Sequence, residues 1–142
     1  MRAALFDRYG PPEVIYEGRR PVPDHGRDRA LIRVLAASVD GGELAGRAGR
    51  LGPLVELLQR GFPKAVGIDF VGDVIAVGAD VRGVTVGERV WGILPREFGS
   101  MAEYVAAPAD RFARAPAGLD PVRAASLPVA TTVITALRDK AR

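Results

Sequence analysis

Residues Gly67–Gly92 read GIDFVGDVIAVGADVRGVTVGERVWG, and the rest of the chain is organised around them. Phe70–Val77 is a short apolar run with β-branched residues, broken only by Gly72 and Asp73. Such a run predicts a strand, with Gly72 marking a bulge or a close approach by another backbone. Gly78, Asp80 and Gly83 punctuate a turn, after which Arg89–Gly92 reads as a second strand. Val86-Gly87-Glu88 makes a tight corner between them, where Gly87 accepts a positive φ that other residues resist. On pattern alone these are two strands of a small β-barrel.

Composition narrows the class of protein. The 142 residues suit one domain, large enough to bury roughly 68–70% of its unfolded surface. Apolar residues make up 48% and charged residues 26%, as in ordinary globular proteins, and the 11 prolines and 17 glycines fit a β-rich fold with frequent corners. No apolar run approaches the roughly 20 residues that span a bilayer, so a membrane is not expected as a partner. The N-terminal MRAALFDRYG turns polar at Asp7, unlike a secretory signal, and a cytoplasmic location is the expectation. There is no cysteine, and His25 is the single histidine, in the turn-like PDHGRD. That leaves too few nitrogen and sulfur ligands for a typical zinc site. The net charge of +3 comes mostly from arginines interspersed with acids, without a basic run interleaved with aromatics. Nucleic acid is therefore not expected either.

Elsewhere, Arg2–Phe6 reads as a first strand and Val14–Tyr16 as the opening of a second, after the Tyr9-Gly10-Pro11-Pro12 turn. Ala30–Val39 is the longest strand candidate, with Leu31, Arg33 and Leu35 on one face and Ile32, Val34 and Ala36 on the other. Asp40 can cap a short helix over 41–48, with Glu43 at the third helical position as in a capping box. Residues 53–60 form a further helix candidate, and Phe98–Val105 another strand. Asp110–Ala115 is extended. Asp120-Pro121 starts a helix that Pro128 interrupts, and a last helix runs from about 129 to 140.

Several of these stretches share one resemblance. Gly67-x-Asp69-Phe70-x-Gly72-x-Val74, Val77-Gly78, Val81 and Gly87-Glu88-x-Val90-x-Gly92 closely resemble the signature of the catalytic domain of the medium-chain dehydrogenase/reductase superfamily. The zinc enzymes of that superfamily carry Gly-His-Glu where this chain has Gly67-Ile68-Asp69, so the match resembles the zinc-free, quinone oxidoreductase-like branch. The opening Met1–Ala4 and Tyr9–Val14, the run Ala36–Val39, and Phe98–Val105, Ala124–Ala130 and Ala136–Lys140 resemble the same branch. The resemblance implies a mainly β, GroES-like, partly open barrel with short C-terminal helices. It implies that residues 1–142 are the substrate-side domain, with the Rossmann half absent; no G-x-G-x-x-G occurs in the chain. It also implies NADPH or NADH as cofactor, no zinc, and a small-molecule acceptor: a quinone or an activated alkene or carbonyl.

Residue by residue, the resemblance puts Asp40 where the family has an asparagine, near the nicotinamide ribose or substrate. It aligns Thr132 with a threonine beside the nicotinamide. Each is a candidate for catalysis and for cofactor contact, and each has a plainer reading: Asp40 as helix cap, Thr132 as a helical hydroxyl bonding back to the preceding turn. Trp91, Leu94 and Phe98 are candidate walls of the acceptor pocket, although core packing is the commoner fate of such residues. Ser38 reads as a strand-end hydroxyl, and Asp69 as a structural group holding backbone N–H groups. A second functional class stays open, a non-catalytic, stand-alone β-barrel that binds a partner or small ligand. Either way Val129, Val133, Ile134 and Leu137 are expected to offer an apolar face for self-association.

Overall fold

A computed structural model describes residues 1–52, 61–94, 98–128 and 130–140, without the side chains of residues 131, 132 and 139. The helix expected over 53–60 and the apolar Val129 lie outside the described residues. Strands β1 (Arg2–Phe6), β2 (Tyr16–Arg19), β3 (Arg29–Ala37), β4 (Lys64–Ala65), β5 (Asp69–Val77), β6 (Arg89–Ile93), β7 (Tyr104–Pro108) and β8 (Phe112–Arg114) build two antiparallel sheets. Their orders are β2-β1-β4 and β7-β3-β5-β6-β8. Helices α1 (Gly41–Arg47), α2 (Pro121–Ala125) and α3 (Ala130–Ile134) are short. The mainly β, partly open barrel with C-terminal helices is the fold class the sequence implies.

Strand β5 is central and covered on both faces. Phe70 and Val74 join Ala30, Ile32, Val90, Leu94, Val105 and Ala107 in the main core. Val71, pointing the other way, packs under Ala124 and Ala125 of α2 with Ala36 and Trp91 around it. The two-residue period of a strand produces this split, and it explains why Phe70–Val77 reads as almost continuously apolar. Gly72 meets the carbonyl of Arg33 so closely that an added Cβ would sit 2.3 Å from that oxygen and 2.6 Å from Ile32 Cγ2.

The pairing of β3 with β5 carries two irregularities that offset each other. Leu31 opposes Ala76 but Ile32 opposes Val74, which leaves Ile75 extra on β5; Val34 opposes Gly72 but Ala36 opposes Val71, which leaves Leu35 extra on β3. The second bulge corrects the expected face assignment. Ala36 does not share a face with Ile32 and Val34, because one extra residue reverses every later side chain. Ala36 therefore packs on the α2 side.

Three further expectations need correction. Pro12–Val14 is a 3₁₀ turn, closed by Val14 N–H to Pro11 C=O at 3.1 Å, and β2 starts only at Tyr16. The two prolines hold φ near the helical value and have no N–H for a ladder. Phe98–Glu103 is not a strand, and β7 begins at Tyr104. Its backbone is shared among several partners: Met101 N–H donates to Val66 C=O, Met101 C=O accepts from Ala4, and Glu103 C=O accepts from Val34. It thereby stitches the two sheets together, with a single bridge from Ala102 to Ala3. The last helix is not one uniform α-helix, since α3 passes into a π-type stretch over Thr135–Lys140. Five consecutive β-branched residues, Thr131–Thr135, are weak α-helix formers.

The C-terminal stretch is open to solvent, with Val133 at 55% exposure, Ile134 at 50% and Leu137 at 70%. Among the described residues, no helix is long and apolar enough to cross a membrane.

Gly72→Ala is expected to destabilise the fold by about 1–3 kcal/mol, because the Arg33 backbone cannot withdraw without breaking the ladder. Gly41→Ala, where an added Cβ meets nothing within 4 Å, should be neutral or slightly stabilising. Urea unfolding of both variants checks the contrast.

Candidate functional site

Leu35's bulge and the end of β3 deliver Ser38 and Asp40 beside the start of β5. Asp40 caps α1 through a reciprocal capping box: its Oδ1 accepts from the Glu43 N–H at 2.9 Å, and Glu43 Oε2 accepts from the Asp40 N–H at 2.8 Å. The box draws the Glu43 side chain inward to 4% exposure. Asp69 is fully buried, and its Oδ2 accepts from the Ser38 hydroxyl at 2.9 Å. Here the expectation for Asp69 is corrected: the hydrogen bond it receives comes from a hydroxyl rather than from backbone N–H groups. Glu43 Oε1, Asp69 Oδ1 and the buried Ser100 Oγ have no partner among the described residues. Ser100 lies against Gly67, whose φ of 102° and lack of a Cβ let the 99–101 backbone pass; an added Cβ would fall 2.3 Å from Ser100 Oγ.

Burial sets the charge state of this cluster. It pushes the Glu43 carboxyl above the usual carboxylate range; the Asp40 N–H and, more weakly, the Gly67 N–H oppose this, while the Asp40 and Asp69 carboxylates add to it. Burial likewise raises Asp69, against the Ser38 hydrogen bond and with a further push from Asp40. Outside the core the balance reverses. Burial opposes ionisation of Asp73 too, but Arg89 and Arg33 at 3.0 and 3.3 Å hold its carboxyl below the usual range.

A cavity of about 270 Å³ opens beside α1, where β1, β4 and the 98–99 segment meet. Glu43 reaches it from below. Phe6 and Phe98 supply aromatic walls, and Arg20, Arg47 and Lys64 supply positive charge. Lys64 Nζ donates to the Tyr9 hydroxyl at 2.7 Å and lies 4.9 Å from the centre of that ring and 5.2 Å from that of Phe62. Arg47 donates to the Gly10 carbonyl.

The residues singled out from sequence separate in space. Asp40 joins the cavity's floor through Glu43, and Phe98 lines its wall. Leu94 is packed into the main core, and half-buried Trp91 lies against the Val71–Ala124–Ala125 cluster. Thr132 lies in α3, with its side chain outside the described residues. Sequence reading passed over Glu43 as anything but a capping partner, and passed over Arg20, Arg47 and Lys64 altogether. The S/T/D-x-x-E spacing was the available signal for Glu43; nothing local distinguishes the three cations from the other basic residues. Among the described residues, no group of three or more histidine, cysteine or acidic side chains is arranged to hold a metal.

This two-sheet barrel with a capped helix beside β5 is the architecture of a GroES-like domain. The family model described as "Alcohol dehydrogenase GroES-like domain" matches residues 26–117, and the chain belongs to that family. Over 138 residues it is 32% identical to 2-methylene-furan-3-one reductase of Solanum lycopersicum, covering 92% of this chain and 34% of that protein. It is 30% identical to the chloroplastic NADPH-dependent alkenal/one oxidoreductase of Arabidopsis thaliana, covering 92% and 35%. The solved quinone oxidoreductase of Coxiella burnetii superposes with a TM-score of 0.87 at 37% identity, over 97% of this chain and 43% of that one. These likenesses place the chain in the zinc-free, quinone oxidoreductase-like branch of the medium-chain dehydrogenase/reductase superfamily. The chain spans about a third of the length of the curated relatives it matches.

The raised carboxyls predict a pH dependence. Above the ordinary carboxylate pKa of about 4, folded Asp69 still holds its proton when the unfolded chain has lost it. The folded state then binds more protons, so stability falls as pH rises through this window to the raised folded pKa. Asp69→Asn keeps the acceptor for Ser38 and removes the titration. Its stability relative to the parent should therefore improve between about pH 4 and about pH 7, read by urea unfolding at both. A constant difference would show that Asp69 does not carry the effect.

Proposed function

We propose that residues 1–142 form the substrate-side domain of a zinc-independent, NAD(P)H-dependent oxidoreductase that reduces a quinone or an activated alkene or carbonyl. The observation that carries this reading is the likeness over nearly the whole chain to reductases of which it spans about a third. Two of the described helix N-termini do not suit the cofactor's pyrophosphate. The N-terminus of α1 is occupied by the Asp40 carboxylate, and that of α2 by Asp120, which accepts from the Val122 and Arg123 N–H groups. Donors that a phosphate would use are already taken by anions that would repel it. With no G-x-G-x-x-G in these residues either, the dinucleotide is assigned to a second, glycine-rich half, to which this domain adds one wall of a cleft.

In such a protein the bound nicotinamide supplies a hydride to the electrophilic carbon of the acceptor, and a proton from protein or water completes the reduction. The work of this domain is placement and exclusion of water. Phe6 and Phe98 present apolar surface to the acceptor's body, and the capping box fixes α1 so that the cavity keeps its shape. Thr132 and Asp40 are the residues assigned to the nicotinamide side. A cytoplasmic location goes with this reading, although the relatives include a chloroplastic protein. The exposed face of Val133, Ile134 and Leu137 is assigned to contact with a second copy or with the nucleotide-binding half.

The chain alone is expected to oxidise no NAD(P)H with quinones, and a protein that also carries the nucleotide-binding half should turn over. In that longer protein, Thr132→Val should lower kcat by a few-fold to about tenfold, the worth of one hydrogen bond of roughly 0.5–1.5 kcal/mol. Asp40→Asn keeps the cap and should tighten cofactor binding. Turnover by the 142-residue chain alone would refute the two-domain reading, and unaltered kinetics in both variants would remove both assignments. Sedimentation of the short chain at high concentration should show association; a strictly monomeric profile would count against the self-association face.

A further inference from the structure

Positive charge is distributed unevenly among this protein's basic residues. Arg2, Arg27, Arg33, Arg89, Arg111 and Arg114 each face a carboxylate within 3.5 Å. Among the described residues, the three cations that line the cavity beside α1 do not, and neither do Arg8, Arg19, Arg50, Arg82 and Arg123; the cavity is where three such cations share one space. Arg47 gives its guanidinium to a backbone carbonyl, Lys64 gives its ammonium to a phenol, and the Arg20 side chain makes no hydrogen bond or ion pair with a described residue. Arg47 and Lys64 are half-buried. A partly desolvated cation with only neutral partners is poorly compensated, and an anion arriving in the cavity would complete it.

Among the described residues, the same cavity is lined by one carboxylate, Glu43, and by three cations. Glu43 is held inward by the Asp40 N–H, and burial disfavours its ionised form. It therefore weakens the positive field less than an exposed glutamate would. Among the described residues, the other side chains on its walls are apolar: Phe6, Phe98, Pro63, Ala65 and Val66. A strongly hydrated inorganic ion gains nothing from such walls, whereas an aromatic or conjugated body does. At about 270 Å³ the space is near the low end of ligand sites, which run roughly from 300 to 1,000 Å³. That is room for one ring and a short tail.

We propose that this cavity binds a small molecule with an aromatic or conjugated body and a carboxylate tail, the tail lying among Arg20, Arg47 and Lys64. The proposal rests on the reductase reading in one respect: it makes the acceptor a carboxylate-bearing enone or quinone rather than a neutral one. Guanidinium forks suit a carboxylate because two parallel N–H donors match its two oxygens.

Binding to the 142-residue chain without nicotinamide tests it. The probe is 4-oxo-4-phenylbutanoate, the saturated counterpart of a carboxylate-bearing enone, compared by calorimetry with its neutral primary amide and with inorganic phosphate. The acid is expected to bind at least about tenfold tighter than the amide, a difference of about 1.4 kcal/mol. Arg20→Gln and Lys64→Gln should each weaken the acid several-fold and leave the amide unchanged. The Arg20 side chain has no partner among the described residues to lose, so that variant should keep the parent's melting temperature; Lys64→Gln is the independent second arm. Equal affinity for acid and amide, or insensitivity of the acid to both substitutions, overturns the proposal. So does displacement of the acid by equimolar phosphate, which would make the cations a general anion patch. None of these readings involves turnover. A negative result therefore removes the carboxylate ligand and leaves the reductase reading standing, while failure of the longer protein to turn over would do the reverse.

Discussion

The approach of β3 to β5 at Gly72 is the constraint on which the rest of the structure depends. With the Arg33 carbonyl where the Gly72 side chain would be, the two strands can pair closely while Phe70 and Val74 fill the barrel and Val71 meets α2. The Leu35 bulge next to this contact gives β3 the half-turn that sends Ala36 to the α2 side. The following residues then reach the start of β5 rather than continuing away from it. Ser38 is placed on Asp69, and Asp40 becomes the N-cap of α1. A local steric fact at one glycine thus decides where the polar cluster and the cavity lie.

Energetically the inside of the molecule outweighs its surface. The half-exposed pairs around Asp73 and the exposed pair of Arg27 with Asp80 are each worth roughly 0–1 kcal/mol in water and salt. A buried polar atom left without a partner costs about 1–3 kcal/mol, and three such atoms, on Glu43, Asp69 and Ser100, lie near Gly67. Apolar burial on both faces of β5 offsets that cost. Of these groups, Glu43 alone lines the cavity.

Two of the described helices have their first N–H groups closed in the same way. A short helix whose first N–H groups already bond an aspartate has no field left for a phosphate, and both α1 and α2 are capped in that way. What remains on this chain is a shaped, partly apolar cavity with fixed walls. Such a cavity fits the proposed recognition of an acceptor.

The strands β1, β3, β5 and β6, the capping box at Asp40, the start of α2 at Asp120 and the need for glycine at position 72 were all legible in the sequence. Each depends on neighbours along the chain: alternation, cap spacing, or the lack of a side chain. The zinc-free character was legible as well, since one histidine and no cysteine limit ligand chemistry whatever the fold. Tertiary structure alone decided the rest. The Leu35 bulge that reverses Ala36 depends on the register with a strand some forty residues away. Phe98–Glu103 alternates like a strand, yet its hydrogen bonds go to three different segments, so no ladder forms. Trp91, Leu94 and Phe98 looked alike as candidate pocket walls, and only packing sent two of them to core clusters and the third to the cavity. Arg20, Arg47 and Lys64 are far apart in sequence and come together because β2, α1 and β4 end at the same corner of the barrel. Local patterns determine elements, whereas a site is a coincidence of element ends, and that is set by how the sheets close.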